Sequence, residues 1–384
     1  MDQAVFGLVG VGGIAQSQHL PNLARAPHAR LKTVCDLRED LLHEVQRRWG
    51  VPSATTDYRE LLADTEIQAV VVATREDAQA RLAIEALRAG KHVYVEKPLA
   101  STSAECAAVV AAQRAARRHV AVGFNRRFAP AYRRAREVLW QDGGPKNIHY
   151  RIADEYWRWG AGYPPGVRVI HELGHVFDAL RWLARSEVAS IYVIASRPDD
   201  EAYAMQFRSG CVATIMNSGY ATMDLPKERL EAISTRGGVT VEDFVELRTY
   251  GYRDVPPVLR FAGHSHPDRE YTHKHLLEKE GADALHALRR MGWELREAVE
   301  HPPPGDPPPD AAERERYVRD RSPHWNYMVD KGWLAAMDHF ARCILAGETP
   351  ENASAEDGWR ASVLSHAAIR SRDSGAPVTL EADA

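Results

Sequence analysis

The opening of the chain constrains the fold most. Ala4-Val5-Phe6-Gly7-Leu8-Val9 is a short apolar run, and Gly10-Val11-Gly12-Gly13-Ile14-Ala15 follows it at once. A G-x-G-x-x-A turn between a strand and a helical stretch is the phosphate-binding turn of a dinucleotide-binding βα unit. Gly10 allows the tight turn, Gly12 lets a pyrophosphate approach the backbone, and Ala15 lets the helix pack close to the sheet with its N-terminus toward the phosphates. Gly13 and Ile14 complete the turn and are expected to line the cofactor. A second apolar run, Leu31 to Cys35, ends beside Asp36. An acid about twenty residues after the turn is placed to hold the ribose hydroxyls of NAD. Its carboxylate would repel the 2′-phosphate of NADP, whereas the guanidinium of Arg38 could accept one. NAD is therefore the expected cofactor, with NADP left open.

Alternation of strand and helix continues through the first third. Strand-like runs are Ala4 to Val9, Leu31 to Cys35, Ala69 to Ala73, His92 to Val95 and His119 to Val122. Helical patterns separate them: Ser17 to Arg25, Arg38 to Trp49, Arg59 to Ala63, Gln79 to Ala89 and Ser103 to Ala116. Gly50 and Gly90 are stop signals, and Ser101-Thr102-Ser103 offers an N-cap. This pattern predicts a doubly wound parallel sheet, a Rossmann domain over 1–123. After Gly123 the strands lengthen and alternate: Asn147 to Ala153, Ser190 to Ala195, Ala202 to Arg208, Cys211 to Asn217, Leu230 to Ser234 and Gly238 to Glu242. They predict an α+β domain over 124–384 with a large, mostly antiparallel sheet. A helix from His171 to Ala184 interrupts them. Lys331 to Ala346 and Ala355 to Ser371 read as further helices.

Composition excludes several classes. The formal net charge is −4, and the basic clusters are short, so neither a nucleic-acid nor a membrane surface is expected. No apolar stretch is long enough to span a bilayer. Cys35, Cys106, Cys211 and Cys343 lie far apart, which suits reduced thiols of a cytoplasmic protein. No signal peptide is expected ahead of the first strand.

Two further stretches carry chemistry. His92-Val93-Tyr94-Val95 leads into Glu96-Lys97-Pro98 at the carboxyl edge of the first sheet, where α/β ligands sit. In His171-Glu172-Leu173-Gly174-His175-Val176-Phe177-Asp178, a continuous helix would place His171, His175 and Asp178 on one face. Between Ala153 and that helix, Tyr156-Trp157-Arg158-Trp159 with Tyr163 suits a sugar ring or an aryl aglycone, or else closes the second core.

With these segments in order, the chain resembles the glucose–fructose oxidoreductase, inositol dehydrogenase and MocA family (Gfo/Idh/MocA). The resemblance is carried by the Gly10 turn, Ala73-Thr74-Arg75, Glu96-Lys97-Pro98, Gly123-Phe124-Asn125-Arg126-Arg127-Phe128, His175-x-x-Asp178-x-x-x-Trp182-Leu183 and Asp330-Lys331-Gly332. It covers nearly everything except Pro256 to Arg321. It implies an NAD(P)-dependent enzyme acting on CH–OH groups of a sugar, cyclitol or glycoside. Lys97 would hold the reacting hydroxyl and His175 would take its proton. Asp178, Glu172, His171, Arg126, Trp157 and Tyr163 would contact substrate. Gly10, Gly12, Gly13, Ile14, Asp36, Arg38, Thr74, Arg75, Glu96, Lys97 and Asn125 would contact the cofactor. A homodimer or homotetramer through the C-terminal sheet is implied as well. The chain departs from the pattern in three places. Many relatives carry an acid where His171 stands and a His where Gln79 stands, and the usual Gly-Gly-Gly is Pro165-Gly166-Val167-Arg168 here. His171-Glu172-Leu173-Gly174-His175 also spells H-E-x-x-H, a zinc-protease pattern. The dehydrogenase helix fits the same stretch in register with Asp178 and Trp182-Leu183, so no metal is expected.

Two other functions fit the same residues. One is a glycoside-processing enzyme that oxidises transiently and then eliminates, with His171 or Tyr163 as second base. The other is a non-catalytic dinucleotide-binding regulator, which the presence of both Lys97 and His175 opposes. The Pro-rich insertion at about 256–321 reads helical from Tyr271 to Glu300, followed by a stiff strut from Pro302 to Pro309. An amphipathic helix must bury its apolar stripe, so the insertion is expected to cover the substrate mouth or grip a neighbouring subunit. His264, His266, His273 and His275 read as polar surface within it.

Overall fold

The structure is a computed structural model describing residues 2–160, 162–264, 274–302, 304, 310–322 and 329–381. Six strands form the first sheet: β1 (Ala4–Val9), β2 (Ala29–Cys35), β3 (Ser53–Thr55), β4 (Ala69–Val72), β5 (His92–Val95) and β6 (Val120–Val122). Their order is β3-β2-β1-β4-β5-β6, and every pairing is parallel. Parallel strands need crossovers, and the helices Glu39–Trp49, Tyr58–Ala63, Glu76–Arg88 and Ser103–Ala116 supply four of them. Side chains alternate between two cores. Val5, Val9, Val70 and Val72 enter one, and Phe6, Leu8, Ala69 and Val71 enter the other. Covering both faces explains why these strands read as unbroken apolar runs. Strand order reverses between β1 and β4, which opens a crevice at their carboxyl ends.

The second sheet has nine strands: β7 (Asn147–Ala153), β8 (Val188–Arg197), β9 (Asp200–Phe207), β10 (Val212–Ser218), β11 (Glu228–Ile233), β12 (Gly238–Glu242), β13 (Glu246–Tyr250), β14 (Val258–Arg260) and β15 (Val378–Thr379). The order is β14-β13-β12-β11-β7-β10-β9-β8-β15. Only β7 and β10 pair parallel. Burial alternates along β9 and β10, so one face is covered and the other is open. The covered face packs on the helices Pro130–Leu139, Leu173–Ala184 and Ala355–Ser374. The open face presents Ile194, Val212, Met216, Ile233 and Tyr250.

The α/β class and the mostly antiparallel second sheet agree with the sequence reading. Thr102 caps Ser103–Ala116 through a reciprocal box with Glu105. Four short strands escaped that reading: β3, β13, β14 and β15. The expected helix from His171 is two elements, Arg168–His171 and Leu173–Ala184. Glu172 between them is bonded through a tighter turn, with the His175 N–H donating to its carbonyl at 3.2 Å.

Within the insertion, the expected long helix is broken at Gly281 into Lys274–Glu280 and Ala282–Glu300, and Ala311–Arg321 is a helix that sequence reading missed. Leu277, Leu285 and Leu288 join the same core as Phe244 and Leu247, so the stripe is buried within its own chain. Residues 271–273, most of the Pro302–Pro309 strut, His266 and His273 lie outside the described residues. Among the described residues no helix is long and apolar enough to cross a membrane.

Candidate active site

The glycine turn is built for close approach. Gly10 has φ +93°, and a Cβ there would lie 2.5 Å from the Ala73 carbonyl oxygen. Gly12 and Gly13 have nothing within 4 Å of a built Cβ, which leaves open space above their backbone. Residues 13–25 are helical, with a π turn over Ala15–His19. The Asp36 carboxylate accepts from Val11 N–H at 2.9 Å and from Arg38 N–H at 3.0 Å, and Arg38 Nε lies 3.4 Å away. Asp36 thus stands at the lip of the turn, where an open glycine cradle and a carboxylate fit a dinucleotide. Arg38 is exposed beside it. Thr74 and the exposed Arg75 lead into Glu76–Arg88 on the neighbouring strand end.

A cavity of about 500 Å³ begins at Ile14 and runs between the two sheets. Lys97, Arg126, Glu172 and His175 line it, and so do Lys227 and Lys331. Lys97 follows β5. Its Nζ donates to the His171 carbonyl at 2.8 Å and lies 3.6 Å from Glu172 Oε1. Glu96 turns inward instead, meeting His19 Nε2 at 2.8 Å and accepting the Lys97 N–H at 3.0 Å. The other Glu172 oxygen accepts from Lys227 Nζ at 3.0 Å, and Lys227 also reaches Asp154 at 2.6 Å. On the far wall Arg126 forms a two-pronged pair with Glu228, both contacts 2.7 Å, and Lys331 Nζ lies 3.3 Å from the same carboxylate.

These charges set protonation. Burial, with Arg126 and Lys97 nearby, holds the His175 imidazolium well below its ordinary range, so the ring is neutral. Burial opposes ionisation of Glu172 and Glu228, but the cations around each outweigh it and keep both carboxylates ionised. Burial pushes Lys331 down to about 8 despite Glu228. His171 is lowered by burial and by Lys97, and its Nδ1 lies 3.0 Å from the Tyr156 hydroxyl.

Several expected contacts fall elsewhere. Asp178 has no exposed surface, and both its oxygens accept from Arg127, at 2.9 and 2.6 Å. It buttresses the site from behind and does not face the cavity. Asn125 is buried, with its amide donating to the Lys331 carbonyl at 2.7 Å, so it braces the second wall. Glu96 is likewise a buried support. Trp157 is half exposed beneath Arg158, outside the cavity wall. Tyr163 packs edge-on against His171, with ring centroids 4.2 Å apart. His171 sits off the Leu173–Ala184 helix and is displaced from the face that carries His175. Lys227, Glu228 and Lys331 were missed, as were the insertion's Arg289, Arg296 and Glu315, which also line the cavity. Asp330-Lys331-Gly332 was visible as a motif, but nothing in the pattern turned Lys331 inward.

The Asp178 geometry gives a first prediction. Asp178→Asn leaves Arg127 with Asp357, at 2.9 Å, as its one carboxylate partner among the described residues, and should cost about 3 kcal/mol, read as a lowered Tm with NAD affinity unchanged. An unchanged Tm would contradict the buried pair.

Residues 5–124 match the family described as an oxidoreductase family with an NAD-binding Rossmann fold. The chain is 27% identical over 262 residues to the myo-inositol 2-dehydrogenase of Thermotoga maritima, covering 63% of this chain and 76% of that protein. It is 26% identical over 399 aligned positions to an inositol 2-dehydrogenase of Rubrobacter xylanophilus, covering 99% of this chain and 94% of that protein. The scyllo-inositol dehydrogenase of Lactobacillus casei, solved with NAD(H) and scyllo-inositol, superposes with a TM-score of 0.70 at 18% identity, covering 98% of this chain and 99% of that one, and so shares the fold. The match to the Gfo/Idh/MocA oxidoreductase family thus covers the NAD-binding Rossmann part of the chain, residues 5–124, and the similarity to inositol dehydrogenases extends beyond it.

Proposed function

We propose that this enzyme moves hydride between NAD and a ring hydroxyl of a sugar, cyclitol or glycoside, with Lys97 and His175 as its catalytic residues. One observation carries the reading: a single cavity joins Ile14 of the glycine turn to Lys97 and a neutral, buried His175. The bound nicotinamide supplies the hydride acceptor. Neutral His175 takes the hydroxyl proton, as a general base must be unprotonated to act. The Lys97 ammonium stabilises negative charge growing on that oxygen. Glu172 positions Lys97 through the 3.6 Å pair, and the His171 carbonyl holds the same Nζ. Arg126 and Lys227 offer donors to the remaining hydroxyls. Asp36 takes the ribose hydroxyls. The inositol dehydrogenases among the relatives support a polyol substrate. The apolar residues on the open face of the second sheet support self-association there.

The test is a panel of cyclitols, sugars and glycosides, followed by NADH absorbance and product mass. Stoichiometric NADH with a ketone product supports hydride transfer as the net reaction. An eliminated aglycone without NADH would replace it with the transient-oxidation reading.

On the best substrate, Lys97→Ala and His175→Ala should each lower kcat by ~10²–10⁴-fold with NAD affinity near normal. Near-normal turnover in His175→Ala removes it as the proton acceptor. The pH profile follows from the lowered His175 pKa. The ring stays neutral as pH falls through 6.5, the ordinary histidine value, so kcat/KM should lose its base only well below that point. A base limb centred near 6.5 would show an unshifted histidine and contradict the assignment.

A further inference from the structure

Behind the substrate site, on the opposite side of the Asn125–Phe128 turn, lies a second cavity of about 400 Å³. Four arginines converge on it: Arg127, Arg136, Arg181 and Arg185. The carboxylates in its wall are Glu187 and Asp357. Those two acids are already engaged. Arg181 pairs with Glu187 at 2.7 Å and Asp357 at 3.3 Å, and Arg127 pairs with Asp357 at 2.9 Å besides Asp178.

Arg136 and Arg185 are different. Among the described residues neither has a carboxylate within ion-pair distance. Arg136 donates Nε to the Trp182 carbonyl at 2.9 Å and lies over the Trp182 ring at 4.6 Å. Arg185 lies over the Trp140 ring at 4.1 Å. Both guanidinia are held by an aromatic face, and their outer N–H groups lack an anionic partner. Glu351 acts on Arg136 from a distance and is itself paired with Arg133. Burial and the like charges of Arg185 and Arg127 depress the Arg136 pKa to about 10. Gathering like charges at a half-buried cavity is costly unless an anion offsets them.

We propose that this cavity binds a phosphoryl oxyanion, free or carried by a small phosphorylated metabolite, through Arg136 and Arg185. Two guanidinium forks suit a dianion with several acceptor oxygens. The volume equals that of roughly a dozen waters at ~30 Å³ each, so it admits an organic remainder as well as the oxyanion. The site is separate from the glycine turn and shares with the substrate cavity none of its lining residues.

The experiment is isothermal titration of the full chain with inorganic phosphate, and then with ribose 5-phosphate, at constant ionic strength set with chloride. Saturating NAD is present so that the glycine turn is filled. We expect saturable binding at one site per chain, weakened at least tenfold by Arg185→Gln and by Arg136→Gln. Arg185 is exposed, so its substitution disturbs no buried core residue and removes only the contact with the Trp140 ring. Tighter binding of ribose 5-phosphate identifies a phosphorylated metabolite as the ligand, and equal binding identifies free phosphate. Absence of saturable binding, or binding that Arg185→Gln leaves unchanged, overturns the proposal.

Discussion

The structure around the cavity depends on one buried carboxylate. Glu172 stands between Lys97, at the end of β5 in the first sheet, and Lys227, at the start of β11 in the second. A carboxylate sealed from water is unstable unless cations and hydrogen bonds replace its hydration. Those cations come from two different sheets, so satisfying Glu172 fixes the sheets relative to each other at the site. The same requirement interrupts the helix. Glu172 occupies the break between Arg168–His171 and Leu173–Ala184, which leaves the His171 carbonyl free to hold Lys97 and places His175 in the first turn of the next helix.

Around that centre the charges are layered. Arg126 faces the cavity and pairs with Glu228. Arg127, the next residue on the turn, faces the other way and pairs with Asp178. Lys97 in turn rests on Glu172, whose charge is offset from behind by Lys227. A fixed polar lining of this kind stabilises developing charge without having to reorganise during reaction. The insertion adds to the lining. Its core-facing leucines anchor the Ala282–Glu300 helix, and this brings Arg289 and Arg296 to the mouth, where Arg296 pairs with Glu315 at 2.9 Å.

What could be read from the chain follows the range of the interaction. The glycine turn, the parallel alternation and the Thr102 cap are local patterns, so the first sheet was legible almost strand by strand. β3 spans three residues, too few for a periodicity to show. Helical spacing put Asp178 on the face of His175 but says nothing about what lies opposite, and the resemblance that made Asn125 a cofactor contact says nothing about its packing. Arg127 and the Lys331 carbonyl, distant in sequence, decide that both are buried supports. Lys227 and Glu228 could not be found by pattern at all. Lys227 precedes and Glu228 opens an ordinary alternating strand, and only the pairing of β11 with β7 brings Lys227 to the cavity and Glu228 behind Arg126. The insertion's helicity was legible from its apolar stripe, and its break at Gly281 was not.

Glu172 acts through Lys97, and Glu172→Gln tests that role most directly. The substitution keeps the shape and removes the charge that positions Lys97 and bridges to Lys227. Steady-state kinetics on a polyol should show kcat/KM reduced at least tenfold while NAD affinity, measured by fluorescence titration, stays within twofold of the wild type. Equal kcat/KM in the two proteins would contradict the account, because the cavity would then work without the carboxylate that holds it together.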